Sequence, residues 1–245
     1  MTGRSVGRSV GCLVRCSVGC WVVETAGDHY DGDVNHESSL VNRLTDRLIA
    51  GELPPGTRLS EAALAKEFDV SRNTLREAFR VLGEQGLVDH VPNRGVSVAS
   101  PSTADVIDIY RVRRTIECTV LAHAPRNHPR AADMLRAVEE AKAAAEAGDW
   151  LQVGTSNMKF HKGVVALSDS VRLMRSFGNV LAELRLAFLK VELLDFLHAP
   201  FVERNEEVYS AYVDDSPAAA SALLGSYLGD SERQVLGAYA RAGQG

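Results

Sequence analysis

The chain has 245 residues, 45% of them apolar and 24% charged, with a formal net charge of −5. That is enough chain to bury one large core or two ordinary ones, and the composition is that of a soluble globular protein. No apolar run approaches the roughly 20 residues needed to cross a bilayer, because Val10 to Val23 is broken by Arg15 and by glycines; neither membrane insertion nor export is expected, and the cytoplasm is the expected location.

Residues 1–37 lack a lasting apolar period and open on the near-repeat "GRSVGRSVGC". They are expected to form a disordered leader, native or added by an upstream start codon. Cys12, Cys16 and Cys20 fall four apart there, with no fourth Cys or His nearby to complete a metal or cluster site. Cys118 stands alone, so no disulfide framework is expected.

From Ser38 the pattern turns helical. Leu40, Leu44, Leu48 and Ile49 share one face, and Gly51 with "PPG" stops the run. Ser60 is placed to cap a short helix whose inward face is Ala63, Leu64 and Phe68, and Ser71 to cap a second one, "RNTLREAFRVLGEQG". Gly86 ends that helix. "LVDHVPNRGVSVA" then reads as a two-stranded wing with a turn at Pro92 to Gly95. Residues 38–100 carry eight basic and eight acidic side chains, so any positive face must come from placement and not from total charge.

Arg72, Arg76 and Arg80 supply such a placement. Spacing of four stacks them on one face of the Ser71-capped helix, opposite Leu75, Ala78, Phe79 and Leu82. Arginines near the N-terminus of a helix in a major groove can pair bidentately with guanine, and Asn73 can pair with adenine or phosphate. Ser71 and Thr74 can bond phosphate oxygens. The alternative is a solvated face with Arg76–Glu77 and Arg80–Glu84 charge contacts.

After "SPST" at residues 100–103, the chain reads as about six helices to its end, with breaks expected near Pro125, Gly148, Ser168 to Ser170, Ala199-Pro200 and Asp214 to Pro217. The expected fold class is mainly α: a leader (1–37), a winged helix-turn-helix (38–100) and a helical bundle (104–245).

The stretch "GELPPGTRLSEAALAKEFDVSRNTLREAFRVLGEQGLVDHVPNRGVSV" resembles the winged helix-turn-helix of the GntR family of bacterial transcription regulators. The resemblance implies DNA contacts through Ser71, Arg72, Asn73 and Arg76 and through a wing tip at Asn93, Arg94 and Gly95. It also marks a departure, since Ala62 stands where the family commonly has a second-helix arginine. "DVIDIYRVRRTIECTVLAHA", "NMKFHKGVVALSDSVRL" and "ERNEEVYSAYVDDSPAAASALLGSYL" resemble the effector-binding domain of the FadR-like branch, of the FCD type.

Many members of that branch hold a divalent metal with one Asp and three His. The corresponding positions are here Asn157, His161, Asn205 and Tyr227, a set poorly suited to a transition metal, so no metal or other cofactor is expected. The same four side chains could instead form a polar ligand site, or simply satisfy one another. In the resembled branch effectors are commonly small carboxylates or acyl conjugates, which makes Arg113 the expected counter-ion and Arg185 a second. The expectation is a dimeric, ligand-responsive regulator of a double-stranded DNA operator, a repressor and not an enzyme. Two other readings are a ligand-binding or scaffold protein with weakened DNA binding, and a hydrolase built on the bundle.

Overall fold

The computed structural model of the chain describes residues 14–15, 21–22, 32–91, 95–191 and 193–243, with side chains from Leu40 onward except Val91. Most of the expected leader, with Cys12, Cys16 and Cys20, lies outside the described residues, as does the wing tip from Pro92 to Arg94. Within the leader, β1 (Val14–Arg15) and β2 (Trp21–Val22) pair antiparallel. The first helix, α1 (Gly32–Ile49), begins before Ser38, so the expected leader boundary at residue 37 falls inside a helix. Apolar periodicity marks where a helix packs, not where it starts, and the two differ here by more than a turn.

Leu40, Leu44 and Leu48 of α1 are buried against α3 (Arg72–Glu84), whose Leu75, Ala78, Phe79 and Leu82 are fully enclosed. Between them lies α2 (Glu61–Glu67). Both expected caps are made: Ser60 Oγ accepts from the Ala63 amide at 3.3 Å, and Ser71 Oγ from the Thr74 amide at 3.1 Å. Gly86 stops α3 with φ +72°, a conformation that favours glycine. The wing is β4 (Val88–Val91) and β5 (Gly95–Val98), with β3 (Arg58–Leu59) on its other edge in the antiparallel order β3-β5-β4.

Beyond the wing every described element is helical. They are α4 (Thr103–Arg113), a π-wound turn at Arg114–Cys118, α5 (Thr119–His123), α6 (Ala131–Glu146), α7 (Trp150–Ala166), α8 (Val171–Lys190), α9 (Leu194–Ser210), a second π-wound turn at Ala211–Asp215, and α10 (Pro217–Arg241). The breaks expected near Pro125, Gly148, residues 168–170 and residues 214–217 are found. The one expected at Pro200 is not, because Pro200 sits inside α9. A proline leaves the carbonyl four residues earlier without its helical donor; here that carbonyl, Phe196 O, accepts from Gln234 Nε2 of α10.

Head and bundle share a core. Ala182 and Leu186 of α8 belong to the same buried cluster as Leu44, Phe79 and Leu82. The linker is tied down as well: Pro101 O accepts from Lys190 Nζ at 2.9 Å and from the Tyr239 hydroxyl at 3.1 Å. Among the described residues, no helix is long and apolar enough to cross a membrane.

Candidate functional site

The α3 arginines do emerge on one face, yet their surroundings differ. Arg72 and Asn73, in the first turn, are exposed and have no side-chain hydrogen bond among the described residues. Arg76 is exposed but latched to α2, its Nε donating to Glu61 Oε2 at 2.8 Å. Arg80 is held by Glu77 and Glu84 of its own helix. Of the two readings of the stripe, the groove-reading one suits the N-terminal part of α3 and the charge-contact one its C-terminal part. Ser71 and Thr74 bond one another at 2.8 Å through their hydroxyls. Ser71 thus fixes the helix start that points Arg72 outward, and whichever of the Ser71 and Thr74 hydroxyl hydrogens is not spent on the other can be donated to a phosphate oxygen. Gly95 opens β5 with φ +85° and is exposed. Asn93 and Arg94 lie outside the described residues. Ala62, on the exposed side of α2, offers no charge where an arginine was expected from the resemblance.

The second candidate site is the centre of the bundle. Arg113 and Glu117 are 1% and 0% exposed, and they pair at 2.8 Å, Nε to Oε1. The other carboxylate oxygen accepts from His161 Nδ1 at 2.5 Å. His161 Nε2 lies 3.1 Å from the Tyr227 hydroxyl, which is also 2.9 Å from Asn157 Oδ1, and Asn205 Nδ2 donates to that same Oδ1 at 2.8 Å. The structure therefore brings Arg113, Asn157, His161, Asn205 and Tyr227 into one hydrogen-bonded chain, with Glu117 linking Arg113 to His161. In the sequence, Arg113 and Glu117 form an R-x-x-x-E pattern within the segment that resembles the FCD domain. The i, i+4 spacing of Arg113 and Glu117, on a face that packs inward, was the signal for the role of Glu117.

Burial decides the protonation of this chain. It would raise the Glu117 carboxyl, but the Arg113 charge and His161 outweigh it, and the net shift is downward. For His161, burial is the largest influence and holds the imidazole below its ordinary range, so the ring is neutral. Burial likewise pushes the Tyr227 phenol well above the usual tyrosine range. A neutral His161 that donates from Nδ1 must accept at Nε2, and Asn157 Oδ1 is also an acceptor. Tyr227 has a single hydrogen for the two. Asn157 Oδ1 already accepts from Asn205 Nδ2, so the Tyr227 hydrogen can serve either acceptor. Two atoms there are buried without a partner among the described residues: Asn205 Oδ1, an acceptor, and Arg113 Nη2, a donor.

This donor set does not fit the metal that the family resemblance raises. Both His161 nitrogens are engaged, the phenol is held in its protonated form, and the two asparagines offer neutral oxygens. Among the described residues there is no group of three His, Cys, Asp or Glu placed to hold a metal.

Arg185 stands apart from the chain, contrary to its expected place beside Arg113. Its Nε donates to Ile49 O, at the end of α1, and its Nη2 to Leu151 O, in the first turn of α7, both at 3.0 Å. Glycine at 154 makes room for it: a Cβ there would come within 2.2 Å of Arg185 Nη1 and 2.6 Å of His198 Nε2. Both of those nitrogens are buried without a partner among the described residues. Burial, with the Arg185 charge second, lowers His198 to about 3, and burial alone lowers Arg185 to about 10. Arg185 is a bolt between head and bundle.

A winged helix-turn-helix that exposes arginines at the start of α3, set on a helical domain with a polar centre, is the build of a DNA-binding transcription regulator. Residues 37–98 match the bacterial regulatory proteins of the gntR family, and residues 108–230 match the FCD domain; the chain belongs to the GntR family. A solved GntR transcriptional regulator from Rhodococcus sp. RHA1 is 36% identical, with a TM-score of 0.80 over 84% of this chain and 99% of that one. The HTH-type transcriptional regulator YdhC of Bacillus subtilis is 31% identical over 57% of this chain and 63% of its own length. A protein of Paenarthrobacter nicotinovorans named "Probable D-xylose utilization operon transcriptional repressor" is 28% identical over 65% of this chain and 74% of its own length.

Proposed function

We propose that the chain is a homodimeric repressor that leaves its operator when a small hydroxycarboxylate enters the bundle. The observation that carries the effector class is the unmet hydrogen-bonding capacity of the buried centre. Arg113 Nη2 lacks an acceptor, while Asn205 Oδ1 lacks a donor. A carboxylate answers the first and a hydroxyl the second, and such buried unmet groups each cost about 1 to 3 kcal/mol until they are paired. Arg113 also keeps one guanidinium edge on Glu117, so a carboxylate would enter a charge-assisted bond without stripping the existing pair. On DNA, Arg72, Asn73 and Arg76 read base edges in the major groove, Ser71 and Thr74 bind phosphate, and the wing at Asn93, Arg94 and Gly95 reaches the minor groove. Two copies on a two-fold operator follow from the usual match of protein and site symmetry.

The test begins with an operator selected from randomised DNA and bound in gel shifts at fixed salt. A panel of lactate, malate, tartrate and gluconate is then added. At least one should release the DNA, and Asn205→Leu should blunt that release while leaving affinity in its absence unchanged. If no member of the panel alters binding at about 10 mM, a concentration that would reveal even millimolar affinity, the effector class is wrong.

A further inference from the structure

A cavity of about 560 Å³ lies away from the buried centre, in the seam between head and bundle, walled by α1 and the turn after α3 on one side and by α7 and α8 on the other. That volume is within the range of small-molecule sites, which favour junctions between domains. Its walls have a definite chemistry. Arg185, Lys159 and Lys162 line it, against a single acid, Asp46, in a chain whose overall charge is negative. Lys159 is paired with Glu140 on the outer surface. Lys162 is exposed and has no ion-pair partner among the described residues. Arg185 is 1% exposed and has no carboxylate at salt-bridge distance among them. Ile49, Met158 and Leu181 supply apolar wall between the cations.

We propose that this seam is a second ligand site, separate from the centre of the bundle, and that it takes a small organic anion with an apolar body. A buried arginine whose partners among the described residues are backbone carbonyls carries a charge with no carboxylate at salt-bridge distance among them, and an anion at the cavity wall relieves that at short range. Lys162 at the mouth gives the approaching anion a second cation. The apolar wall requires a ligand with a hydrocarbon part, which bare phosphate or sulfate lacks. Position supplies the consequence. The cavity touches α1, which carries the head, and α8, whose Arg185 bolts the head on through Ile49 O. A ligand gripping both walls favours the present arrangement of head and bundle over any other, so its binding and that of DNA are linked, and each must alter the other's affinity by the same factor.

Hexanoate is a suitable probe, with hexanol as its uncharged twin, titrated calorimetrically into the full chain. Gly178 lines the cavity and a Cβ at that position meets nothing within 4 Å, so Gly178→Phe places a ring at the cavity with an unhindered Cβ, and Lys162→Glu reverses the charge of an exposed residue. Both variants should keep the parent's melting temperature and lose hexanoate affinity by at least about tenfold, the loss of one charge-assisted contact. Tyr227→Phe, at the centre of the bundle, should keep it. Hexanol should bind at least about tenfold more weakly than hexanoate. The inference falls if hexanoate does not bind the parent at about 10 mM, if hexanol binds equally well, or if folded Gly178→Phe and Lys162→Glu bind hexanoate like the parent. Loss in Tyr227→Phe alone would move the ligand to the bundle centre, overturning the seam site while leaving the proposed effector site standing.

Discussion

The exposed start of α3 and the centre of the bundle are built from the same side chains, arginine, asparagine and a hydroxyl, in opposite settings. On α3, Arg72 and Asn73 stand in water at the start of a helix, where solvent satisfies them at little cost and a DNA groove can replace that solvent. In the bundle, Arg113, Asn157 and Tyr227 are enclosed, and each must find a partner inside the protein. Polarity at the surface is thus available for recognition without supporting the fold, whereas polarity in the interior supports the fold first and binds only with what is left over. Substitutions in the two places should fail in different ways: stability moves in one, DNA affinity in the other.

The largest effect is expected from Arg113→Ala. It leaves the Glu117 carboxylate buried with one charged partner removed, and breaking such a pair costs about 3 to 5 kcal/mol. For a chain of this size that lowers the melting temperature by roughly 10 °C in calorimetry. A change of less than about 2 °C would mean that water reaches Glu117.

Next come Arg72→Ala and Arg76→Ala, each expected to weaken operator binding by about 1 to 3 kcal/mol while leaving the melting temperature in place. Arg80→Ala should cost less than either, since Arg80 is engaged by Glu77 and Glu84. If Arg80→Ala weakened DNA binding as much as Arg72→Ala, the division of α3 into a reading part and a charge-paired part would be wrong.

Acidification sharpens the contrast from the other side. His198 is held at about 3 in the fold, by burial first and by Arg185 second, against an ordinary value near 6.5. Between those values the unfolded chain binds the extra proton and the folded chain does not. Stability is therefore fully present above about pH 6.5 and is lost as the pH falls, by roughly 2 kcal/mol at pH 5. His198→Leu should flatten the curve of denaturation midpoint against pH over that interval. An unchanged slope would show that protons are taken up elsewhere. The lowered Glu117 carboxyl acts in the same sense at more acidic pH, its stabilisation being lost as the pH falls through the folded value.

The smallest effect is that of Ser71→Ala. It removes the α3 cap and should cost the fold about 1 kcal/mol. A neutral result in urea titration would mean that the Thr74 hydroxyl takes over the cap.

The head was largely legible in the sequence because its determinants are local. Ser60 and Ser71 cap the turns that follow them, Gly86 ends α3, and the four apolar residues of α3 fall on one face by spacing alone. The bundle was legible as helices and less so as a site. Asn157, His161, Asn205 and Tyr227 were placed together through resemblance, and the structure does join them, but the pairing of Glu117 with His161 emerged only with the fold, since nothing local says which carboxylate a buried histidine will meet. Arg185 was misplaced for a related reason. Its partners are the carbonyls of Ile49 and Leu151, and backbone carbonyls have no sequence signature. Pro200 misled for the same reason in reverse, because the donor that repairs the backbone there comes from residue 234.

The interior shared by head and bundle bears on how such regulators can be recombined. Because Ala182 and Leu186 complete the packing around Phe79 and Leu82, the winged segment is not a cassette that can be lifted out at the linker and grafted onto a different sensor. A chimera joined near residue 100 would carry an apolar opening where α8 used to lie, and would aggregate or soften unless the recipient presented small and branched side chains in the same register. Exchange of specificity within this architecture is easier by rewriting the exposed start of α3 than by swapping the whole unit.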